Sequence, residues 1–173
     1  MDHKSILKIG IKYGVFLGLG FCLYTTLMWL TNLDTTYLNI GQYLDMFIIL
    51  LPLLLIYVGI KKFRKQGAKL TVLNRIYLAL VIGVISALIY EPFLYYYHNV
   101  INPDWFDSVL SLKQESLKDQ GQSREEIDRV LTTLSEQNAA RSGMFSAFIA
   151  SAIVMPFLGA LLSLLFVRNK KGQ

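Results

Sequence analysis

The one carboxylate that falls well inside a long apolar run is Glu91, and Pro92 follows it directly. Six residues at 1.5 Å each put Glu91 about 9 Å below the Tyr97 end of that run, where a charge costs on the order of 1 to 3 kcal/mol. Such a carboxyl must be protonated, paired or turned to a wet crevice. It could hold a proton or a cation, with a carbonyl freed by Pro92 as a second acceptor. It could equally be a buried hydrogen-bonding partner of a Tyr or Ser on another helix, and this structural role is the preferred expectation. Asp45, at the outer end of the preceding apolar run, could share the same crevice, although an interfacial N-cap is the simpler role for it.

Other chemistry finds little footing. His98 has Asp104 and Asp107 near it in sequence, yet there is no H-x-x-x-H and no cysteine pair, so no metal site is expected. Cys22 is the only cysteine, which excludes an intramolecular disulfide, and it reads as a small helix-packing residue. No G-x-S-x-G, P-loop or G-x-G-x-x-G is present, so nucleophile-elbow hydrolysis and nucleotide binding are not expected. The expectation is therefore no catalytic residues, no metal and no cofactor.

The elements that must position Glu91 are set by composition. The 173 residues are 54% hydrophobic and 17% charged, with a mean hydropathy of +0.44. A soluble domain carries about a quarter charged residues, so these values point to an integral membrane protein. A helix crossing a ~30 Å hydrocarbon layer needs about 20 mostly apolar residues. Four runs qualify: about residues 13–33, 44–60, 76–97 and 144–167. The expected fold is all-α, with four transmembrane helices in a single membrane domain. Pro52 and Pro156 fall mid-span and are expected to kink their helices. The first run is too long for a signal-peptide core and lacks a cleavage site, so it is expected to stay attached.

Orientation follows from the basic residues, because cytoplasmic connections hold the excess. Lys4, Lys8 and Lys12 precede the first span, and Lys61, Lys62, Arg64, Lys65, Lys69 and Arg75 separate the second and third. Arg168, Lys170 and Lys171 end the chain. The connection from Asp34 to Asp45 has no basic residue, and residues 98–143 hold five basic against eight acidic ones. Both termini are thus expected in the cytoplasm, with the chain multi-pass in the membrane. Lys61, Lys62, Arg64 and Lys65 are expected to meet anionic lipid headgroups. A nucleic-acid partner is not expected, since the basic cluster has no interleaved aromatics and no domain to hold it. Trp29, Tyr37, Tyr43, Tyr95, Tyr96, Tyr97 and Trp105 fall at the outer boundary, as an aromatic belt would.

Residues 98–143 read as an extracytoplasmic helical hairpin between spans three and four. Asn102 and Pro103 fit an N-cap followed by proline at the first helical position. Phe106, Val109, Leu110 and Leu117 lie near one face, and Gly121 supplies the stop. Ser123-Arg124-Glu125-Glu126 fits the capping box, and Ile127, Val130, Leu131 and Leu134 repeat at helical spacing. Phe106, Leu110, Ile127, Leu131 and Leu134 are the candidate partner surface. Within the membrane, Gly10, Gly14 and Gly18 recur every four residues, as do Ala79, Gly83 and Ala87, and Gly143, Ala147 and Ser151. Such seams let helix backbones approach, and intramolecular packing is favoured over dimerisation.

Several of these features together resemble a family of bacterial membrane proteins, domain of unknown function 4199. The residues carrying the likeness are Tyr13-Gly14 through Gly18, Lys61-Lys62-Phe63-Arg64, the Tyr-rich end of the third span at Tyr97, Asn102-Pro103, Gly121, Glu125-Glu126-Ile127 and the basic stop. The resemblance covers nearly the whole chain and implies a four-span inner-membrane protein. It implies no activity, and Glu91-Pro92 is not placed by it.

The expected function is therefore that of a non-catalytic membrane protein acting by association, as an accessory or scaffolding subunit. Its partners would be membrane lipids and either another protein or a second copy of the chain, with no small-molecule substrate identified. The alternative is a small transporter or channel component using Glu91. An intramembrane enzyme using Glu91 and His98 ranks last, for want of an acid-base pair at a defined spacing.

Overall fold

The computed structural model describes residues 3–65, 71–141, 153–155 and 157–161. Every regular element among them is helical. In chain order these are α1 (His3–Leu30), α2 (Leu38–Ile48), α3 (Leu50–Lys65), α4 (Val72–Tyr96), a π-helical turn (Tyr97–Ile101), α5 (Trp105–Asp119) and α6 (Arg124–Arg141). Three stretches are long and apolar enough to cross a membrane: Lys4–Leu30, Tyr43–Arg64 and Val72–Ile101. The expected fourth span lies largely outside the described residues. The described parts of it, 153–155 and 157–161, are helical, with Met155 buried in the core and Gly159 against Ala79.

Each of the three spans is longer than its uncharged run. α1 begins ten residues before Tyr13, taking Lys4, Lys8 and Lys12 into the helix. Long lysine stems can lie along an apolar surface while their ammonium groups stay in water, so charge alone does not end a helix. The second span is interrupted between α2 and α3, where Ile49 belongs to neither helix. Pro52 cannot donate to the carbonyl of Ile48 and its ring crowds that group, which accounts for the break.

α1, α3 and α4 build the core. Ile6, Ile9 and Leu17 of α1 meet Ile56, Ile60 and Phe63 of α3 and Leu78, Ala79 and Ile82 of α4. The largest interface is between α1 and α4. At its seam a β-carbon added to Gly10 would fall 2.5 Å from Val81 Cγ1, one on Gly14 2.6 Å from Ile85 Cβ, and one on Gly18 2.9 Å from Ile89 Cβ. At these positions β-branched side chains of α4 fill the glycine notches of α1. Ala79 instead faces Gly159. In lipid there is little hydrophobic gain between helices, so this close van der Waals fit supplies the attraction.

The register fixes direction. Residues 10, 14 and 18 meet 81, 85 and 89 in rising order, so α1 and α4 run parallel. Gly20 lies beside Leu51 and Tyr13 beside Gly59, so α3 runs antiparallel to both. Lys4, Lys8, Lys61, Lys62, Arg64 and Arg75 consequently share one end of the bundle. Asp34 and the π-helical turn lie at the other. Away from the core, Leu19, Leu23, Leu54 and Leu88 are more than half exposed, the outward apolar face expected of a membrane helix.

Beyond the bundle, α5 and α6 are in contact across a tight turn. Gly121 takes φ +71° just past α5, its N–H bonding the Lys118 carbonyl while Gln122 N–H bonds that of Leu117. This is the Schellman arrangement, whose left-handed residue glycine accommodates without strain. The capping box is formed as read: Glu126 N–H donates to Ser123 Oγ at 3.3 Å, and Ser123 N–H to Glu126 Oε2 at 3.1 Å. Leu117 and Ile127 are buried between the two helices, with Phe106, Leu110, Leu131 and Leu134 half-buried.

Candidate functional site

The polar groups of the bundle gather at the end away from the lysines. α1 closes with Asn32 in the left-handed region at φ +54°; Asn32 N–H bonds the Trp29 carbonyl and Leu33 N–H that of Met28. Asparagine is among the few residues that visit this region routinely. The turn carries the chain inward to Asp34, which is only 8% exposed. On the facing segment, Pro103 disfavours helical geometry at Asn102, whose backbone lies at φ −137° and ψ 67°. The helix therefore cannot run on, and it ends in the π-helical turn, with Asn102 N–H on the Tyr97 carbonyl at 2.8 Å. Single π turns within helices are frequent at functional sites.

These two breaks bring three side chains together. The Tyr97 hydroxyl donates to Asp34 Oδ2, and Asn102 Nδ2 donates to the same oxygen at 3.1 Å and to the Tyr97 hydroxyl at 2.9 Å. Asp34 Oδ1 is buried and has no hydrogen-bond partner among the described residues. His98 lies within electrostatic range of Asp34 and stacks on Trp105, ring centroids 4.6 Å apart and planes 8° from parallel. Further rings continue the column inward through Tyr97, Phe93 and Tyr90 to Phe21.

This cluster corrects two expectations. Asn102 does not cap α5: the N-cap position is Asp104, with no side-chain cap bond, and Asn102 Nδ2 donates to Asp34 Oδ2. Tyr97 and Trp105 leave the aromatic belt, Tyr97 being buried and Trp105 half-buried, whereas Trp29, Tyr37, Tyr43, Tyr95 and Tyr96 are exposed as a belt requires.

Asp45 and Glu91 lie in the same quarter. Asp45 is inside α2 rather than at its N-cap, and it accepts from the Tyr24 hydroxyl at 2.7 Å. Glu91 is half-buried, and no hydrogen bond joins it to another described residue, so the Tyr or Ser partner expected for it is not found there. Tyr90 lies within electrostatic range of both carboxylates and pairs with Thr25 Oγ1 at 3.0 Å. Pro92 is exposed and sits within α4, where it leaves the Leu88 carbonyl without its usual donor. Among the described residues no cluster of three or more His, Cys, Asp or Glu could hold a metal. At the basic end Lys61, Lys62 and Arg64 are exposed, and Lys65 closes α3.

Asp34 was read from the sequence only as the end of the first span. The signal available was that it is the single charged residue between Lys12 and Asp45, facing a segment broken by Pro103. What could not be read was the pairing, since 63 residues separate Asp34 from Tyr97 and 68 from Asn102.

No curated protein and no solved structure matches the chain. Residues 12–168 match one family model, so the chain that builds this glycine-notched bundle belongs to the family described as "Protein of unknown function (DUF4199)".

Proposed function

We propose that the chain is a non-catalytic, four-span protein of a bacterial inner membrane that acts by association, as an accessory or scaffolding subunit. Both termini face the cytoplasm, and α5 and α6 form an extracytoplasmic hairpin that meets a protein partner. The observation that carries this reading is that, among the described residues, the main contact of α5 is with α6. A helix pair that is capped, turned and packed on itself is ordered without help, and its outer faces are left for something else. Those faces carry Lys113, Glu115, Asp128 and Arg129, all exposed, while Phe106, Leu110, Ile127, Leu131 and Leu134 form the apolar seam beneath. Outer faces that carry charges of both signs suit a folded protein partner of complementary charge better than lipid tails. The basic end, with Lys61, Lys62, Arg64 and Lys65, then meets anionic headgroups. Purification from native membranes in mild detergent after crosslinking tests the proposal: a discrete complex is expected, and a stable monomer with nothing bound would overturn it.

The second reading, a transporter or channel component, is favoured by one observation, the half-buried Glu91 with no hydrogen-bond partner among the described residues. Ion or solute flux in liposomes that disappears on Glu91→Gln would establish it in place of the first.

A further inference from the structure

Two helix ends of the same polarity meet at Asp34. α1 stops at Leu30 and the π-helical turn at Ile101, and each C-terminus carries a partial negative charge of about half an electron. Asp34 follows the first by four residues. Asn102, directly after the second, reaches Asp34 through its amide at 3.1 Å. A carboxylate has thus been placed where the backbone already makes the potential negative.

Its own partners do not offset this. Two neutral donors, the Tyr97 hydroxyl and the Asn102 amide, share Oδ2, while Oδ1 is shut off from solvent and accepts from no described residue. Residues 13–60 and 76–112, the segments that build the cluster, contain no lysine or arginine. Buried carboxylates are paired with a positive charge or coordinate one. We propose that Asp34, with the oxygens of Asn102 and the adjoining helix C-termini, binds a monovalent alkali cation.

The charge follows from the same groups. Asp34 carries the one full negative charge of the cluster, which a single positive charge neutralises while the partial charges of the two helix ends add to the attraction, and the described residues offer no cluster of three or more His, Cys, Asp or Glu for a divalent or transition metal. His98, stacked on Trp105 within electrostatic range, is the competing counter-charge, so the site is best tested at about pH 8, where an unperturbed imidazole is neutral.

The test uses the full chain in detergent, in N-methyl-D-glucamine chloride at fixed ionic strength, titrated with sodium or potassium chloride. Thermal stability is followed beside binding of radioactive sodium. A rise in Tm of about 3 °C at tenfold the Kd, growing with the logarithm of the ion concentration beyond it, is expected with one of the two alkali ions and not with N-methyl-D-glucamine. If sodium is the ion, it also displaces label from a saturable site. Asp34→Asn should abolish the response while keeping the shape of the side chain. Tyr97→Phe removes a donor that competes for the carboxylate, so its affinity should be several-fold tighter, and this variant decides the matter if Asp34→Asn does not fold. A wild-type Tm indifferent to the cation, a response that survives in Asp34→Asn, or an affinity unchanged by Tyr97→Phe would each overturn the proposal. None of these outcomes bears on whether α5 and α6 bind a partner.

Discussion

Replacing Gly14 by alanine puts a methyl group into the middle of the α1–α4 seam. Its carbon would fall 2.6 Å from Ile85 Cβ and 2.9 Å from the Ile82 carbonyl oxygen. Carbon atoms rest at about 3.5 to 4.0 Å, so relief takes roughly 1 Å of retreat. Neither obstacle is the tip of a flexible side chain, so the helices themselves must part. A radial gap of about 0.5 to 1 Å already forfeits a quarter to a half of each dispersion contact, and the notches at Gly10 and Gly18 would open with it. Overpacking costs about 1 to 3 kcal/mol, against which the better helix propensity of alanine returns up to about 1 kcal/mol. Allowing for the opened notches, a net loss of about 1 to 2 kcal/mol is expected, which lowers Tm by about 2 to 8 °C in a chain of this size. Gly59→Ala is the control, since its methyl would meet Leu78, Tyr13 and Ile82 at 3.4 to 3.6 Å, ordinary contact. Thermal unfolding of both purified variants in one detergent decides the matter. Equal stability of the two, or a more stable Gly14→Ala, would refute the packing described for α1 and α4.

Other outcomes follow from local features. Ser123→Ala should cost α6 about 1 kcal/mol by removing its cap, read as faster proteolysis near Gly121. Hydrogen bonds from the Ser123 hydroxyl and backbone hold the Glu126 carboxyl below the ordinary glutamate range. The stabilisation from that bond is therefore full above the unfolded glutamate value and is lost as pH falls through the lower folded one. The Glu126 amide resonance should accordingly move at lower pH than that of an ordinary glutamate, and at higher pH in Ser123→Ala than in the wild type. Glu91→Gln and Glu91→Ala should both keep near wild-type Tm, because no described residue loses a hydrogen-bond partner; a marked loss in Ala alone would reveal one. Reporters fused after Lys65 and near Gly121 should read opposite sides of the membrane, cytoplasmic and outside respectively, and a cytoplasmic signal at Gly121 would undo the orientation.

What could be read from the sequence was whatever is local. The capping box at Ser123 and the Gly121 turn are complete within a few residues, so pattern and structure agree. The glycine spacing of α1 announced a seam, but its partner required knowing that α4 runs parallel beside it. A spacing rule alone could not choose Val81, Ile85 and Ile89 over Ala79, Gly83 and Ala87. Uncharged runs located the spans and underestimated their length, because the lysines of α1 are compatible with a helix that continues past the hydrocarbon. Asn102-Pro103 carries a valid N-cap pattern that the fold does not use: α5 starts later, behind Asp104, and the Asn102 amide donates to a carboxylate 68 residues away. Asp34 itself has no local signature at all.

The central claim, that α5 and α6 exist to meet a partner, is tested most directly by photocrosslinking in native membranes. A photoreactive residue is placed at exposed positions on the outer faces, Glu115 and Asp128, with exposed Tyr57 on the apolar side of α3 as the reference. A single discrete protein adduct from Glu115 and Asp128, absent from Tyr57, is the expected result. No adduct from either helix, with the chain intact and inserted, would contradict it.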